Sequence, residues 1–239
     1  MRFKYLTAIA LALFCAAGAI AQSATKMENG IWKAGIVVSQ LDVESAGIDA
    51  YFAAEPISEN VAARMRGKSL PDGATMRLSD LRYLRMLHYD ENGEMRTGEM
   101  VVNKAIANDV VAVFKELWQA RYVIGSMRLI DDFNAEDTVS MCANNTSCFC
   151  YRAIVGGKKL SKHARGMAID LNPLYNPYVK TVKGKRIVEP PCATPYVDRR
   201  RAFPQKINRN DIAFKVFTAH GFKWGGDWRT LKDYQHFEK

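Results

Sequence analysis

Two short segments, far apart in the sequence, carry residue types that together can bind a metal ion. The first, 161–170, contains His163 and Asp170, and the C-terminal stretch contains Asp233 and His236. A catalytic zinc ion takes three protein ligands with N or O atoms and leaves a fourth position to water, whose protons a nearby group must handle. We therefore predict that these four side chains supply three metal ligands, His163 and Asp170 among them, and a group that handles protons. The three-residue spacing of Asp233 and His236 makes them neighbours in a helical turn or a tight turn.

The seven-residue spacing of His163 and Asp170 restricts the backbone between them. On a continuous helix they would lie about 10.5 Å apart along the axis, whereas each must come within about 2.0–2.2 Å of one ion. On a continuous strand, an odd separation places them on opposite faces. The chain must therefore fold back between them, and Gly166 is the residue that allows it. The run 167–171 is then predicted to be a buried strand that carries Asp170.

The two segments also resemble a known family. The pattern Ser-x-His-x-x-Gly-x-Ala-x-Asp, followed much later by Asp-x-x-His, is similar to that of the zinc D-Ala-D-Ala peptidases. This family includes VanX- and VanY-type enzymes and the L-alanyl-D-glutamate endopeptidases of phage lysins. The matching positions are Ser161, His163, Gly166, Ala168, Asp170, Asp233 and His236. The resemblance covers the chain from about residue 50 to its end.

The resemblance implies an activity and roles for single residues. It implies a zinc-dependent peptidase, with Zn²⁺ as cofactor, that hydrolyses peptide bonds in peptidoglycan stem peptides or cross-links. The two histidines of the pattern and Asp170 would bind the ion, and Asp233 would be the general base. Arg152 lies in a segment that resembles the one carrying the family's active-site arginine, and would polarise the scissile carbonyl and stabilise the oxyanion. Ser161 is a candidate for binding substrate, and a turn-capping role is its alternative.

Two other functions stay open at this point. One is a zinc-binding module of the same fold that binds cell wall or a partner without catalysis, as hedgehog-like domains do. The presence of Asp233 argues against it. The other is a secreted peptidase of general proteins, which would cleave casein but not cell wall.

The N-terminal segment has the pattern of a secretory signal peptide. Arg2 and Lys4 precede an almost wholly apolar run, 5–17, and Ala19-Ile-Ala21 is a small-x-small cleavage site. Because the run is too short to span a bilayer comfortably, we predict cleavage after Ala21, no stable membrane anchor and a periplasmic or secreted protein. Cleavage lowers the formal net charge from +9 to +7. A basic surface suits an anionic polymer such as cell wall, or simply keeps the protein soluble. The sequence contains no basic run with interleaved aromatic residues, so we predict that the protein does not bind nucleic acid.

The number of cysteines is also typical of an exported protein. Four remain after the N-terminal segment: Cys142, Cys148, Cys150 and Cys192. An even number in an exported chain predicts two disulfides, with three possible pairings. A bridge between Cys148 and Cys150 would be strained, so we expect Cys142 and Cys192 to be their partners. The alternative hypothesis is a metal site formed by the cysteines, but their spacing is not that of a zinc ribbon.

Periodicity and turn residues predict an α+β fold. The resemblance implies a small antiparallel sheet flanked by helices, as in the hedgehog signalling domain. The predicted elements are a helix between Ser58 and Gly67, hairpin strands 83–89 and 98–102, a helix 104–120, a strand 122–130 and a helix 210–219. His88 and His220 are predicted to be structural. We divide the chain into a signal peptide (1–21), an N-terminal extension packed on the domain (22–69) and a zinc peptidase domain (70–239).

The stretch from Asn172 to Pro204 contains six prolines and is predicted to lack regular structure. Long ordered loops beside active sites often form substrate grooves. Tyr175, Tyr178 and Tyr196 are therefore candidate groove walls, with Tyr175 a candidate substrate-binding residue. Packing within the loop is the alternative for all three.

Overall fold

The computed structural model of this chain describes residues 32–153 and 159–239, so the predicted signal peptide lies outside the described residues. The helices are α1 (Gln40–Ala46), α2 (Glu59–Met65), α3 (Ala107–Gln119), α4 (Asp137–Cys142) and α5 (Ile212–Ala219). The strands are β1 (Ala53–Pro56), β2 (Leu81–Tyr89), β3 (Met95–Asn103), β4 (Ala168–Asp170), β5 (Tyr178–Val182), β6 (Lys185–Glu189), β7 (Lys223–Trp224), β8 (Lys232–Asp233) and β9 (His236–Glu238). None of these helices is long and apolar enough to cross a bilayer.

The strands form three antiparallel sheets of three strands each, ordered β1–β2–β3, β4–β9–β7 and β6–β5–β8. Antiparallel sheets combined with separate helices confirm the predicted α+β class. The single small sheet of the prediction is replaced by three, because the loop regions between the helices contribute strands of their own. β1 lies within the predicted N-terminal extension and forms an edge of the first sheet against β2.

The predicted hairpin and the helix that packs on it are confirmed. β2 and β3 pair over their full length, and the Asp90 carboxylate accepts two backbone N–H groups in the turn between them. α3 covers this sheet with Val110, Phe114 and Leu117, which are fully buried. The helix begins three residues later than predicted. Asn103 accepts the Ala105 N–H at 3.0 Å and so stabilises a turn ahead of the helix.

The predicted strand 122–130 is wrong. It forms only isolated backbone bridges, at Val123 and at Ser126. Between and after them side-chain amides accept its N–H groups: the Gly125 N–H donates to Asn172 Oδ1 at 3.0 Å, and the Arg128 N–H donates to Asn145 Oδ1 at 2.9 Å. The apolar residues of the segment are still buried, so its burial pattern resembled that of a strand.

The prediction of no regular structure in 172–204 is also wrong, because β5 and β6 form a hairpin there. Pro177 directly precedes β5 and Pro190 directly follows β6. Neither strand contains a proline, so no ladder N–H is lost. The prolines therefore bound this hairpin and do not interrupt it.

The small sheet β4–β9–β7 joins the core to the predicted metal ligands. Ile169 of β4 and Phe237 of β9 are cross-strand partners, and both are fully buried. Phe237 stacks on Phe217 of α5, with ring centroids 4.2 Å apart. Because side chains alternate along a strand, the neighbouring pair Asp170 and His236 projects from the opposite face.

Candidate metal centre

The three predicted ligands converge on one point. His163 Nε2 lies 3.3 Å from Asp170 Oδ2, His236 Nδ1 lies 3.1 Å from Asp170 Oδ1, and the two imidazole nitrogens are 3.2 Å apart. All three side chains are buried. No other group of three or more His, Cys, Asp or Glu side chains in the described ranges converges in this way.

Sheet register brings two of these residues together. Asp170 and His236 are directly opposite each other in the antiparallel pair β4–β9. Cross-strand partners have Cβ atoms about 4.5–5.5 Å apart, which suits two ligands of one ion. A backbone bridge between Asp170 and Ser147 fixes β4 from its other side.

His163 reaches the same point through a turn. It begins a short 3₁₀ segment, His163–Arg165, which Gly166 ends with φ +64°. A Cβ on Gly166 would lie 2.6 Å from the backbone nitrogen of Asn103. The position therefore requires glycine for both its left-handed backbone and its contact with β3. The predicted reversal at Gly166 and the predicted buried strand after it are both confirmed.

Outer hydrogen bonds orient both imidazoles. His163 Nδ1 lies 2.8 Å from the carbonyl oxygen of Cys148 and donates to it, which leaves Nε2 free to bind a metal. His236 Nε2 lies 3.4 Å from Glu238 Oε2 and directs Nδ1 toward Asp170. Such partners are the usual second shell of a metal-bound histidine.

Sequence reasoning missed Glu238, although a signal was present. His236 and Glu238 are two residues apart on β9, so they project from the same face of the strand. A carboxylate two positions after a ligand histidine on a strand is therefore a candidate outer partner.

The ionisable groups of the cluster shift one another's pKa values. Burial raises the pKa of Asp170, but the adjacent His163 and His236 outweigh it and hold that pKa below its usual range. Burial lowers the pKa of His236, and hydrogen bonds to Asp170 and Glu238 outweigh it and raise the pKa to about 10. Without a metal ion, His236 Nδ1 therefore carries a proton at neutral pH. A metal ion would replace that proton at the same position.

Asp233 lies at the edge of the cluster. Its Oδ2 is 4.0 Å from His236 Nδ1, and a bend at residues 234–235 separates β8 from β9. The tight-turn alternative for this pair is therefore the one observed. Asp233 Oδ1 is buried with no hydrogen-bond partner. Burial, the largest cause, and the nearby charge of Asp170 raise the pKa of Asp233 to about 7.

The donor set fits a zinc ion. A tetrahedral site with metal–ligand bonds of about 2.0–2.2 Å has ligand atoms roughly 3.3–3.6 Å apart. The separations of 3.1–3.3 Å among His163, Asp170 and His236 lie close to this range. Two neutral imidazoles and one carboxylate are also a common catalytic zinc set. The Asp233 carboxylate, whose Oδ2 lies 4.0 Å from His236 Nδ1, borders these three donors.

Arg152 is paired with a residue that sequence reasoning did not single out. Its Nε forms an ion pair with Asp137, the first residue of α4. Burial raises the pKa of Asp137, and the nearby charges of Arg152 and His163 oppose this rise. The pair therefore lies beside the cluster, with Arg152 half-buried. No sequence spacing connects Asp137 with Arg152, since α4 and the segment after it meet only in the fold.

The predicted substrate-binding residues occupy different environments. Ser161 Oγ accepts the Ala164 N–H at 3.0 Å, which is the turn-capping contact given above as its alternative. The Tyr175 ring packs 4.8 Å from that of Tyr196, so these two side chains pack within the loop. Tyr178 is the cross-strand partner of Asp233 and lies on the same sheet face.

Trp228 is a further aromatic side chain at the site. Its ring centroid is 5.2 Å from that of His236, and the residue is half-buried. Trp228 and Tyr178 therefore border the cluster more closely than the predicted Tyr175. Their proximity comes from folding, and no pattern in the sequence separates them from the other aromatics.

The cysteine pairing differs from the prediction. Cys142 of α4 is bonded to Cys192, while Cys148 and Cys150 are free and buried. Cys148 and Cys150 face the interior beside the cluster, whereas Cys142 and Cys192 meet near the surface. Burial raises the pKa of Cys150 to about 12, so its thiol stays protonated. The bond ties α4 to the loop after β6.

The remaining two histidines have single structural partners, as predicted. His88 Nδ1 lies 2.9 Å from the Ile124 carbonyl oxygen in the core, and burial lowers the pKa of His88 to about 4. His220 follows α5 and its Nε2 lies 2.8 Å from Glu116 Oε1. Neither belongs to a converging group of three or more His, Cys, Asp or Glu side chains among the described residues.

Comparison with known families agrees with the geometry. The model of a family described as D-alanyl-D-alanine carboxypeptidase matches residues 155–239, a range that contains all three converging ligands and Asp233. The resemblance to the D-Ala-D-Ala peptidases is thereby confirmed, and the C-terminal part of the chain carries a peptidase-family sequence. No solved structure matches the chain.

Proposed function

We propose that this chain, with its C-terminal peptidase-family region, is an exported zinc peptidase that hydrolyses peptide bonds in peptidoglycan stem peptides or cross-links. His163, Asp170 and His236 would hold the zinc ion. The single observation that carries the proposal is their convergence to 3.1–3.3 Å beside a buried carboxylate, Asp233, that has one unpartnered oxygen.

Zinc bound there would act as a Lewis acid and lower the pKa of a coordinated water toward 7. The chain's own residues must orient and deprotonate that water. The Cys148 carbonyl and the Glu238 carboxylate hold the two imidazoles with their free nitrogens directed inward. The ligand geometry is thus preorganised by hydrogen bonds outside the metal shell.

Asp233 supplies the proton transfer. A general base works best when its pKa is close to the working pH, and burial beside Asp170 raises the pKa of Asp233 to about 7. Its carboxylate, with Oδ2 4.0 Å from His236 Nδ1, accepts the proton of the attacking water. The protonated carboxyl then donates to the leaving amine nitrogen, which regenerates the base.

Arg152 stabilises the carbonyl oxygen of the scissile bond. Its guanidinium carries five N–H donors, and the ion pair with Asp137 occupies only part of them. The remaining donors are available for the carbonyl oxygen of the scissile bond as negative charge develops on it. Asp137 positions the guanidinium.

The decisive experiment is digestion of purified muropeptides by the zinc-loaded protein, followed by mass spectrometry. We expect products shortened by hydrolysis of one peptide bond, and none after zinc is removed by a chelator. An Asp233→Asn variant that retains zinc serves as the matched inactive control. Zinc-loaded protein that leaves every muropeptide intact while cleaving casein would contradict the proposal. Zinc-loaded protein that cleaves neither would support the non-catalytic binding module.

A further inference from the structure

A basic groove lies outside the metal centre. It consists of two neighbouring cavities of about 860 Å³ and 680 Å³ that share Lys232 and Tyr234 in their walls. Neither includes a predicted metal ligand. The cationic residues of the groove are Arg186, Arg199, Arg200, Arg201, Lys206, Arg209, Arg229 and Lys232. Only two carboxylates, Asp198 and Asp227, line the same walls.

The excess positive charge is concentrated in the larger cavity. Arg200 is compensated by Asp198, with donor–acceptor distances of 2.9 and 3.0 Å. Arg186 and Arg229 are exposed, and their side chains have no ion pair or hydrogen bond to any described residue. Lys232 Nζ donates only to a backbone carbonyl, that of Gly226, which does not neutralise its charge.

In the smaller cavity the cations have structural roles. The Arg199 guanidinium donates to the carbonyl oxygens of Tyr175 and Ile207 and to Asn176 Oδ1. Arg209 is paired with Asp227 at 2.9 Å. The larger cavity is therefore the part of the groove that has positive charge left for a ligand.

The larger cavity lies on the back of the strand that carries Asp233. Val179 and Lys232 are cross-strand partners in the β5–β8 pair, as are Thr181 and Arg186 in the β5–β6 pair. All four line the cavity. Asp233 follows Lys232 directly, so its side chain projects from the opposite face. A ligand in the cavity therefore cannot be the bond under attack, but it can belong to the same polymer.

We propose that the larger cavity is a second binding site for carboxylates of peptidoglycan stem peptides that are not being cleaved. Stem peptides carry free carboxylates at regular intervals along the polymer, and several uncompensated cations in one concave surface suit such a ligand. The inference rests on the proposed function. It explains why the cations surround the strand that carries Asp233 yet face away from the metal ligands.

The test compares two double variants of the zinc-loaded full chain. Arg186→Gln with Arg229→Gln removes two of the uncompensated cations, and Lys33→Gln with Lys215→Gln removes the same charge from exposed sites elsewhere. Co-sedimentation with insoluble peptidoglycan measures retention without requiring turnover. We expect the cavity variant to bind about three- to tenfold more weakly at low salt, and the control to bind like the parent.

Further measurements identify which interaction the cavity variant has lost. The weakening should disappear at about 0.5 M salt, where exposed charges are screened, and KM for the polymer should rise without a matching loss of kcat. Amidation of the peptidoglycan carboxylates should abolish the difference between parent and cavity variant. Removal of phosphate-containing polymers should leave it unchanged.

Equal retention of the two double variants would overturn the proposal, as would a difference that follows phosphate and not carboxylate. Melting temperatures close to that of the parent confirm that both variants are folded. Failure of the proposed peptidase function would look different, because the parent itself would then leave muropeptides intact whatever its retention on the polymer.

Discussion

Two of the buried charge clusters among the described residues satisfy their charges in opposite ways. In the first, the Glu99 carboxylate accepts from Arg64 at 2.5 and 2.9 Å and from the Tyr83 hydroxyl at 2.5 Å. In the second, Asp170 and Asp233 lie among His163 and His236. There the lone pairs converge, and one Asp233 oxygen has no partner.

The difference separates a structural cluster from the one that we propose to be functional. Glu99 is only 1% exposed and is matched by a guanidinium and a hydroxyl, so its charge is satisfied within the chain. In the histidine cluster both carboxylates lie within 4.0 Å of His236 Nδ1, and an external cation would complete it. A buried charge without full compensation is costly, and it persists where function requires it. The following predictions test this contrast, from the largest effect to the smallest.

Removing a ligand from the incomplete cluster should have the largest consequence. We expect His163→Ala or His236→Ala to lose bound zinc and all measurable turnover, because two ligands do not retain a catalytic zinc ion. Metal content by mass spectrometry and muropeptide cleavage measure the two effects. His220→Ala is the matched control, since His220 contacts only Glu116. Zinc retained at full occupancy in either ligand variant would remove that histidine from the site.

Removing the unpartnered carboxylate should separate metal binding from turnover. Asp233→Asn keeps the size of the side chain and abolishes the base, so we expect kcat to fall by about 10²–10⁴-fold with zinc content unchanged. Asp227→Asn, at an exposed ion pair with Arg209, is the control. If the Asp233 variant retained its turnover, another group would have to be the base.

The satisfied cluster should respond in stability and not in chemistry. Glu99→Gln removes the buried charge that pairs with Arg64, which keeps its ion pair with Asp132, so the fold should be destabilised by about 1–3 kcal/mol. For a chain of this length that lowers the melting temperature by roughly 2–12 °C. Zinc affinity of the folded variant should match that of the parent. A loss of zinc affinity without a fall in melting temperature would show that the two clusters are not independent.

The outer partner of a ligand should have a smaller effect than the ligand itself. We expect Glu238→Gln to weaken zinc binding by about 10–100-fold, because the His236 imidazole loses the carboxylate that orients it. Competition with a zinc indicator measures the change. Glu116→Gln, which alters the partner of His220 instead, should leave zinc affinity unchanged.

Proton competition should make zinc affinity depend on pH. Because the pKa of His236 in the metal-free protein is raised to about 10, His236 is protonated at pH 7 and zinc must displace that proton. Apparent affinity should therefore rise with pH, by about tenfold per unit, until the pKa is passed. Calorimetry in two buffers of different ionisation enthalpy should show about one proton released at pH 7. Release of no proton would mean that His236 is already neutral.

Some helices and strands could be predicted from the sequence and others could not, and the reasons are physical. The hairpin β2–β3 and the helix α3 were predictable because their periodicity and the turn at 90–93 are local features of the sequence. The strand predicted at 122–130 failed because asparagines distant in sequence satisfy its backbone. The hairpin β5–β6 was missed because prolines that bound strands look, in sequence, like prolines that break them.

The sequence by itself determined which residues we propose for the chemistry. Residue type and spacing selected His163, Asp170, Asp233 and His236, and Gly166 had to reverse the chain because no straight helix or strand brings its flanking ligands together. Only the tertiary structure decided which side chains complete the site, such as Asp137 beside Arg152 and Glu238 behind His236. It also decided the cysteine pairing and the concave basic surface behind β8. Those contacts join segments whose sequences carry no mark of one another, and they exist only because packing of the core brings the segments together.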